Sequence, residues 1–170
     1  MDQNTSIKEK ILHPEQSSSG KKPLAETALP NVAAQADECV EELDERLCLA
    51  LRAASDKKAL DMVVLDLREL ASFTDYFLIT SGTNVRQVQA ISDAVLEKLK
   101  EQGRRAERVE GYNTAEWILL DYGDFIVHVF EDKSRRFYDL ERLWREARRV
   151  ELPAELKDQD AGGSSLRRES

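Results

Sequence analysis

Aromatic residues are scarce in this 170-residue chain, at 6%, and all eleven lie between Phe73 and Trp144. The first 72 residues and the last 26 therefore lack the side chains that contribute most buried area to a core. Glycine (7) and proline (4) are too few for a collagenous or low-complexity chain. Only two cysteines are present, which excludes a disulfide scaffold. No apolar run approaches the eighteen residues needed to cross a bilayer, and the start, MDQNTSIKEKILHPEQ, has no apolar stretch of the kind a secretory signal carries. It also lacks arginine, which weakens an organelle-transit reading while leaving import through residues 1–36 open. An excess of base is missing as well. The net charge is −8 and the isoelectric point near 4.9, which argues against bulk or sequence-specific nucleic-acid binding.

The charge is unevenly spread. Residues 37–45 carry Asp37, Glu38, Glu41, Glu42, Asp44 and Glu45 with no base, whereas residues 46–150 balance to zero. Length and patterning suit one domain with a real core. Residues 1–36 are expected to form a disordered leader, broken by Pro14, Pro23, Pro30 and the Ser17–Gly20 run. A domain over 37–150 follows, then a disordered tail over 151–170. Within the domain, Val40, Leu43, Leu47, Ala50, Leu51 and Ala54 recur at helical spacing, so a helix is expected over 37–54 with Asp37 as its cap. Cys39 and Cys48, nine residues apart on that helix, would stand about 13.5 Å from each other, and the pair is read as reduced and without a metal.

Strands are expected at 61–67, with Val63, Leu65 and Leu67 on one face, and at 76–80, a continuous apolar run suited to a central strand. Ser81-Gly82-Thr83-Asn84 turns the chain into a helix reaching about Gln102, with Val85, Val88, Ile91, Val95 and Leu99 inward and Gly103 as its stop. A short strand near 105–109 would complete a parallel crossover from residue 76. Residues 117–120 and 125–130 flank Asp121-Tyr122-Gly123-Asp124 as a hairpin. A last helix over 134–149 would bury Phe137, Leu140, Leu143, Trp144 and Ala147, and Pro153 ends it. The fold class is thus α/β, a small mixed sheet of about five strands flanked by helices.

The search for chemistry finds little. Ser81-Gly82-Thr83 precedes a helix start, where backbone N–H groups hold phosphates, but it is neither a P-loop nor a dinucleotide fingerprint. No strand offers the paired carboxylates that hold magnesium; Asp121 and Asp124 flank a turn and serve there as turn formers. His128 lies mid-strand without a nucleophile beside it, so it reads as a structural histidine before a general base. The surface offers more. Glu110, Tyr112, Asn113, Glu116 and Trp117 cluster in one loop, and Trp117 is either an interface anchor or core. The last helix carries Lys133, Arg135, Arg136, Arg142, Arg145, Arg148 and Arg149 against three acids, either a solvated face or a contact for acidic protein or RNA phosphate.

Residues 61–144 resemble the ribosomal silencing factor (Iojap, or RsfS) family. The matching pieces are Asp61–Asp66, Ser72-Phe-Thr-Asp75 with Tyr76–Ile79, Ser81–Asn84 with Arg86 and Gln87, Glu110-Gly111, Trp117-Ile118, Asp121–Asp124 with Ile126–His128, and Ser134–Trp144. The resemblance implies a nucleotidyltransferase-like fold without that superfamily's catalytic acids, no cofactor, and no enzymatic activity. It implies docking on the large ribosomal subunit through protein uL-fourteen, which blocks subunit joining and represses translation. It further implies a cytoplasmic protein that forms a homodimer when free. By matching position, the docking residues are Glu110, Gly111, Trp117, Asp121, Tyr122, His128, Arg135 and Tyr138. The alternative expectation is a nucleotide-binding or residual nucleotidyltransferase-like protein that uses Ser81–Asn84 and the acids near Asp121.

Overall fold

The computed structural model describes residues 7–13 and 43–156. Six strands form one mixed sheet: β1 (Leu60–Asp66), β2 (Tyr76–Gly82), β3 (Arg108–Glu110), β4 (Trp117–Asp121), β5 (Phe125–Glu131) and β6 (Arg148–Arg149), in the order β3-β4-β5-β2-β1-β6. The helices are α1 (Ile7–Leu12), α2 (Glu45–Asp56), α3 (Val85–Glu101), α4 (Asp132–Tyr138) and α5 (Leu140–Leu143). β2 is buried along its whole length and pairs on both sides, parallel to β5 and antiparallel to β1. The apolar run from Tyr76 to Ile79 therefore becomes a central strand, as its composition requires. β4 and β5 form the expected antiparallel hairpin, with Trp117 opposite Phe130 and Asp121 opposite Ile126.

The period of two sorts the sheet's side chains onto two faces. One core holds Val64, Tyr76, Leu78, Ile118, Leu120, Phe125, Val127 and Val129 beneath α2 and α3. The other holds Leu65, Phe77, Ile79, Trp117, Leu119, Ile126 and Phe130 with Ile7, Ile11, Leu140 and Trp144. α2 and α3 are 12 and 17 residues long and cover the first face. The second face has only shorter pieces over it: α1 of six residues, α4 of seven and α5 of four.

Several expectations need correction. α2 starts at Glu45 with Asp44 as its cap, the side chain accepting from the Arg46 N–H at 3.0 Å. It does not start at Asp37, so only Asp44 and Glu45 of the six acids stand at its beginning; residues 37–42 lie outside the described residues. The helical spacing used to keep Cys39 and Cys48 apart falls with it. Cys48 is disulfide-bonded, and Cys39, the chain's other cysteine, lies outside the described residues. The sheet has six strands because Arg148–Arg149, expected to be helical, pairs with β1, where Arg148 lies opposite Asp66 and binds its carboxylate at 3.1 Å. The last helix is accordingly broken. Asp139 adopts a left-handed conformation (φ +46°) between α4 and α5, which turns Phe137 and Leu143 out to solvent while Leu140 and Trp144 stay buried.

Residues 76–110 do cross over to a parallel strand, but β3 lies at the sheet edge against β4, and the parallel neighbour of β2 is β5. Val85, expected inward on α3, is exposed at the helix start. The leader was expected to be without structure, yet Ile7–Leu12 is a packed helix. At the other end Leu152 and Leu156, in the stretch expected as tail, are buried in the core under α2 and α3.

Candidate functional site

Trp117 opens β4 and faces the thinly covered side of the sheet. Its indole stacks on Phe130, with ring centroids 5.0 Å apart, and meets the Tyr138 ring at 4.7 Å. The indole N–H donates to Nδ1 of His128 at 3.1 Å, and the imidazole packs edge-on to Phe77 at 4.5 Å. Phe137 adds a T-shaped contact to Tyr138 at 4.9 Å and is itself 78% exposed. The result is an aromatic ladder running from the buried His128 through Trp117 and Tyr138 to a ring in solvent. Offset and edge-on pairs at these separations hold one another rigidly, which limits the entropy lost when a partner binds.

His128 is fully buried, and burial pushes its pKa down to about 3, with a smaller push from the Lys8 ammonium. It is a neutral imidazole whose Nδ1 accepts a hydrogen bond and whose Nε2 is buried with no partner among the described residues. That makes it a support for the Trp117 ring, the structural reading of the sequence.

Arg135, buried on α4, reaches across the sheet. It donates to the Ser81 hydroxyl at 3.2 Å and the Leu60 carbonyl at 3.4 Å, and pairs with Glu141 at 2.8 Å. These bonds pin α4 to β1 and β2 and thereby hold Tyr138 against Trp117. Other bases of the last segment are also paired, Arg136 with Asp132 at 3.2 Å and Arg142 with Asp139 at 4.0 Å, which favours a solvated face over a phosphate-binding one.

Glu110 and Gly111 adjoin the cluster. Gly111 has φ +78°, and a Cβ there would stand 2.2 Å from the Trp117 carbonyl oxygen. Only glycine lets the two backbones approach this closely. The Glu110 carboxylate accepts the Ile7 N–H at 3.3 Å and lies 3.7 Å from Arg108. Lys8 lies 4.5 Å over the Trp117 ring, and its ammonium donates to the Trp117 carbonyl at 3.0 Å. Burial lowers the Lys8 pKa, while Glu110 and Glu116 oppose that shift.

Two expected residues belong elsewhere. Tyr122 is fully buried in the opposite core, stacked on Phe125 at 5.1 Å, where desolvation pushes its pKa up to about 12. Asp121 ends β4, four residues from Trp117, and its side chain accepts the Gly123 N–H at 2.9 Å as a turn former. The structure thus brings together Trp117, His128, Tyr138, Arg135, Glu110 and Gly111, and leaves Asp121 and Tyr122 out. Sequence reasoning missed Lys8, Ile11, Phe130 and the exposure of Phe137. The alternation Ile126-His128-Phe130 held a signal for Phe130; nothing local marked the leader.

The phosphate-site candidate is filled from within. The Thr83 N–H and hydroxyl both donate to the Gln87 amide oxygen, at 2.8 and 3.1 Å, and the Asn84 side chain accepts the Gln87 N–H at 2.9 Å. Three of the donors an anion would need are already engaged. Among the described residues no three His, Cys, Asp or Glu side chains cluster to hold a metal ion, and no helix is long and apolar enough to cross a membrane.

Fold and site together define an α/β domain with helices over both faces of one sheet, one face sealed and the other aromatic under a thin helical cover. The chain belongs to the ribosomal silencing factor family: the model of the family described as "Ribosomal silencing factor during starvation" matches residues 40–169. It is 44% identical over 108 residues to the ribosomal silencing factor RsfS of Halalkalibacterium halodurans, covering 64% of this chain and 92% of that one. It is 35% identical over 133 residues to the chloroplastic protein Iojap of Zea mays, covering 76% and 56%. A crystal structure of a Chromobacterium violaceum protein superimposes with a TM-score of 0.59 at 36% identity, covering 64% of this chain and 89% of that one.

Proposed function

We propose that this ribosomal silencing factor docks on the large ribosomal subunit through the aromatic face, at protein uL-fourteen, and blocks small-subunit joining by its bulk. The observation that carries the reading is the ladder Trp117–Tyr138–Phe137, rigid at its base and 78% exposed at its tip. Interface energy concentrates in such anchored aromatics, and a patch of about 800 Å² per partner is enough for stable docking. The acidic chain meets a ribosomal surface protein of basic character, and complementary fields raise the association rate. The mechanism is steric, with no bond made or broken, so no cofactor enters it. Trp117 supplies the base of the surface, His128 and Phe130 fix its ring, and Arg135 fixes the Tyr138 side. The free protein pairs as a homodimer. It works where its ribosomes are, in the cytoplasm, with organelle import through residues 1–36 as the alternative.

Co-sedimentation with purified large subunits at two salt concentrations tests this directly. Phe137→Ala and Tyr138→Ala are expected to fold normally and to lose tenfold or more in binding, about 1.4 kcal/mol or above. Equal recovery of joined ribosomes with and without the protein would sink the proposal.

A further inference from the structure

The face proposed for docking already has an occupant. In α1, Ile7 and Ile11 share one side of the helix and are buried in the same core as Trp117, Phe130 and Trp144. Polar contacts fasten it at three points. Lys8 bonds the Trp117 carbonyl at 3.0 Å and covers its ring at 4.5 Å; the Ile7 N–H meets Glu110 at 3.3 Å; the Trp144 indole N–H donates to the Ile11 carbonyl at 2.9 Å. The arrangement is that of a short amphipathic helix laid in a groove, with anchors at i and i+4.

A six-residue helix does not persist alone in water, because nucleation costs more than so few hydrogen bonds return. α1 is helical because the sheet face shelters it, which places it among the elements that open most easily. Its residues also precede the family match at 40–169, while the surface beneath it lies inside that match. The covered surface lies within the span the family model describes, and the cover lies outside it.

We propose that α1 is an autoinhibitory clasp: it occupies the aromatic face as an internal pseudo-ligand and must leave before the large subunit engages Trp117. The inference rests on the docking reading above. Its effect is a population term. If α1 is seated nine-tenths of the time, the apparent dissociation constant is raised tenfold over that of the open chain.

The test uses the full chain. Ile11→Asp would place a carboxylate in the sheet-face core and so unseats α1, without touching residues 43–156. Lys8→Glu does so independently, by setting a like charge against Glu110, Glu116 and the Trp117 carbonyl. Because α1 touches both Trp117 and Trp144, intrinsic tryptophan fluorescence reports its release without any ribosome present. Both variants are expected to shift the emission and to bind purified large subunits about tenfold more tightly than the unaltered chain. Tyr138→Ala, added to Ile11→Asp, is expected to reverse that gain. Unchanged emission, or a shift without tighter binding while Tyr138→Ala still weakens docking, overturns the clasp and leaves the docking face standing. Binding that is indifferent to Tyr138→Ala overturns both.

Discussion

Gly111 and His128 hold the aromatic face at the level of single residues. Gly111 combines a left-handed backbone with a 2.2 Å approach to the Trp117 carbonyl, so Gly111→Ala adds both strain and a backbone clash. A loss of about 3 kcal/mol is expected in urea denaturation, with the slope unchanged. His128 gives the fold a pH dependence. Its folded pKa is about 3 against 6.5 in the unfolded chain, so the unfolded state takes up the proton first as pH falls. This contribution is fully present above pH 6.5 and declines steadily below it, by about 2 kcal/mol between pH 7 and pH 5. His128→Gln keeps an acceptor for the Trp117 indole and removes the titration. Thermal denaturation at the two pH values is therefore expected to show a smaller acid loss in that variant. Asp66 acts lower. Its bonds to Arg68 hold its pKa down to about 2, so what it contributes is present above the ordinary carboxylate value and is lost as pH falls through 2.

Elements follow their end signals where those signals are local. Asn84 caps α3 by accepting the Gln87 N–H, and Gln87 reaches back to the Thr83 N–H; of the two, Asn84 belongs to the turn Ser81–Asn84 that the sequence marks. Asn84→Ala is expected to cost about 1 kcal/mol by chemical denaturation, with the surrounding sheet intact. Gly103, at φ +80°, stops the same helix as its position suggested. The final helix shows where local signals fail. Its apolar spacing fits one continuous helix, yet Asp139 turns left-handed and Arg148 leaves to pair with Asp66 on β1. A cross-strand ladder and an ion pair outweigh the intrinsic helix preference of a few residues, each worth well under 1 kcal/mol. The same break carries Phe137 outward, so the most exposed aromatic of the described residues results from a tertiary choice.

For the whole molecule, the sheet is sealed on one side by two long helices and on the other by short pieces, one of which comes from the leader. That asymmetry makes one face a core and the other a surface available for exchange. The identity of the sheet's inner residues was written in period two: Val63, Leu65 and Leu67 on one side, the uninterrupted Tyr76–Ile79 in the middle, and the hairpin around Gly123. The family's motifs, spread over residues 61–144, were legible for the same reason, since they are short runs within single elements and their turns. What remained unreadable were the pairings of residues far apart in the chain. Neither the meeting of Lys8 with Trp117, 109 residues on, nor that of Trp144 with Ile11, 133 residues back, has any local signature. Tyr122 illustrates the reverse case, a motif residue that the pleat turns into the opposite core. The scarcity of aromatics outside 73–144 was a property of the sequence alone and marked the domain, because burying large rings is what stabilises a core. That six residues far upstream return to cover those rings was decided only in three dimensions, where an exposed apolar face takes whichever apolar segment can reach it.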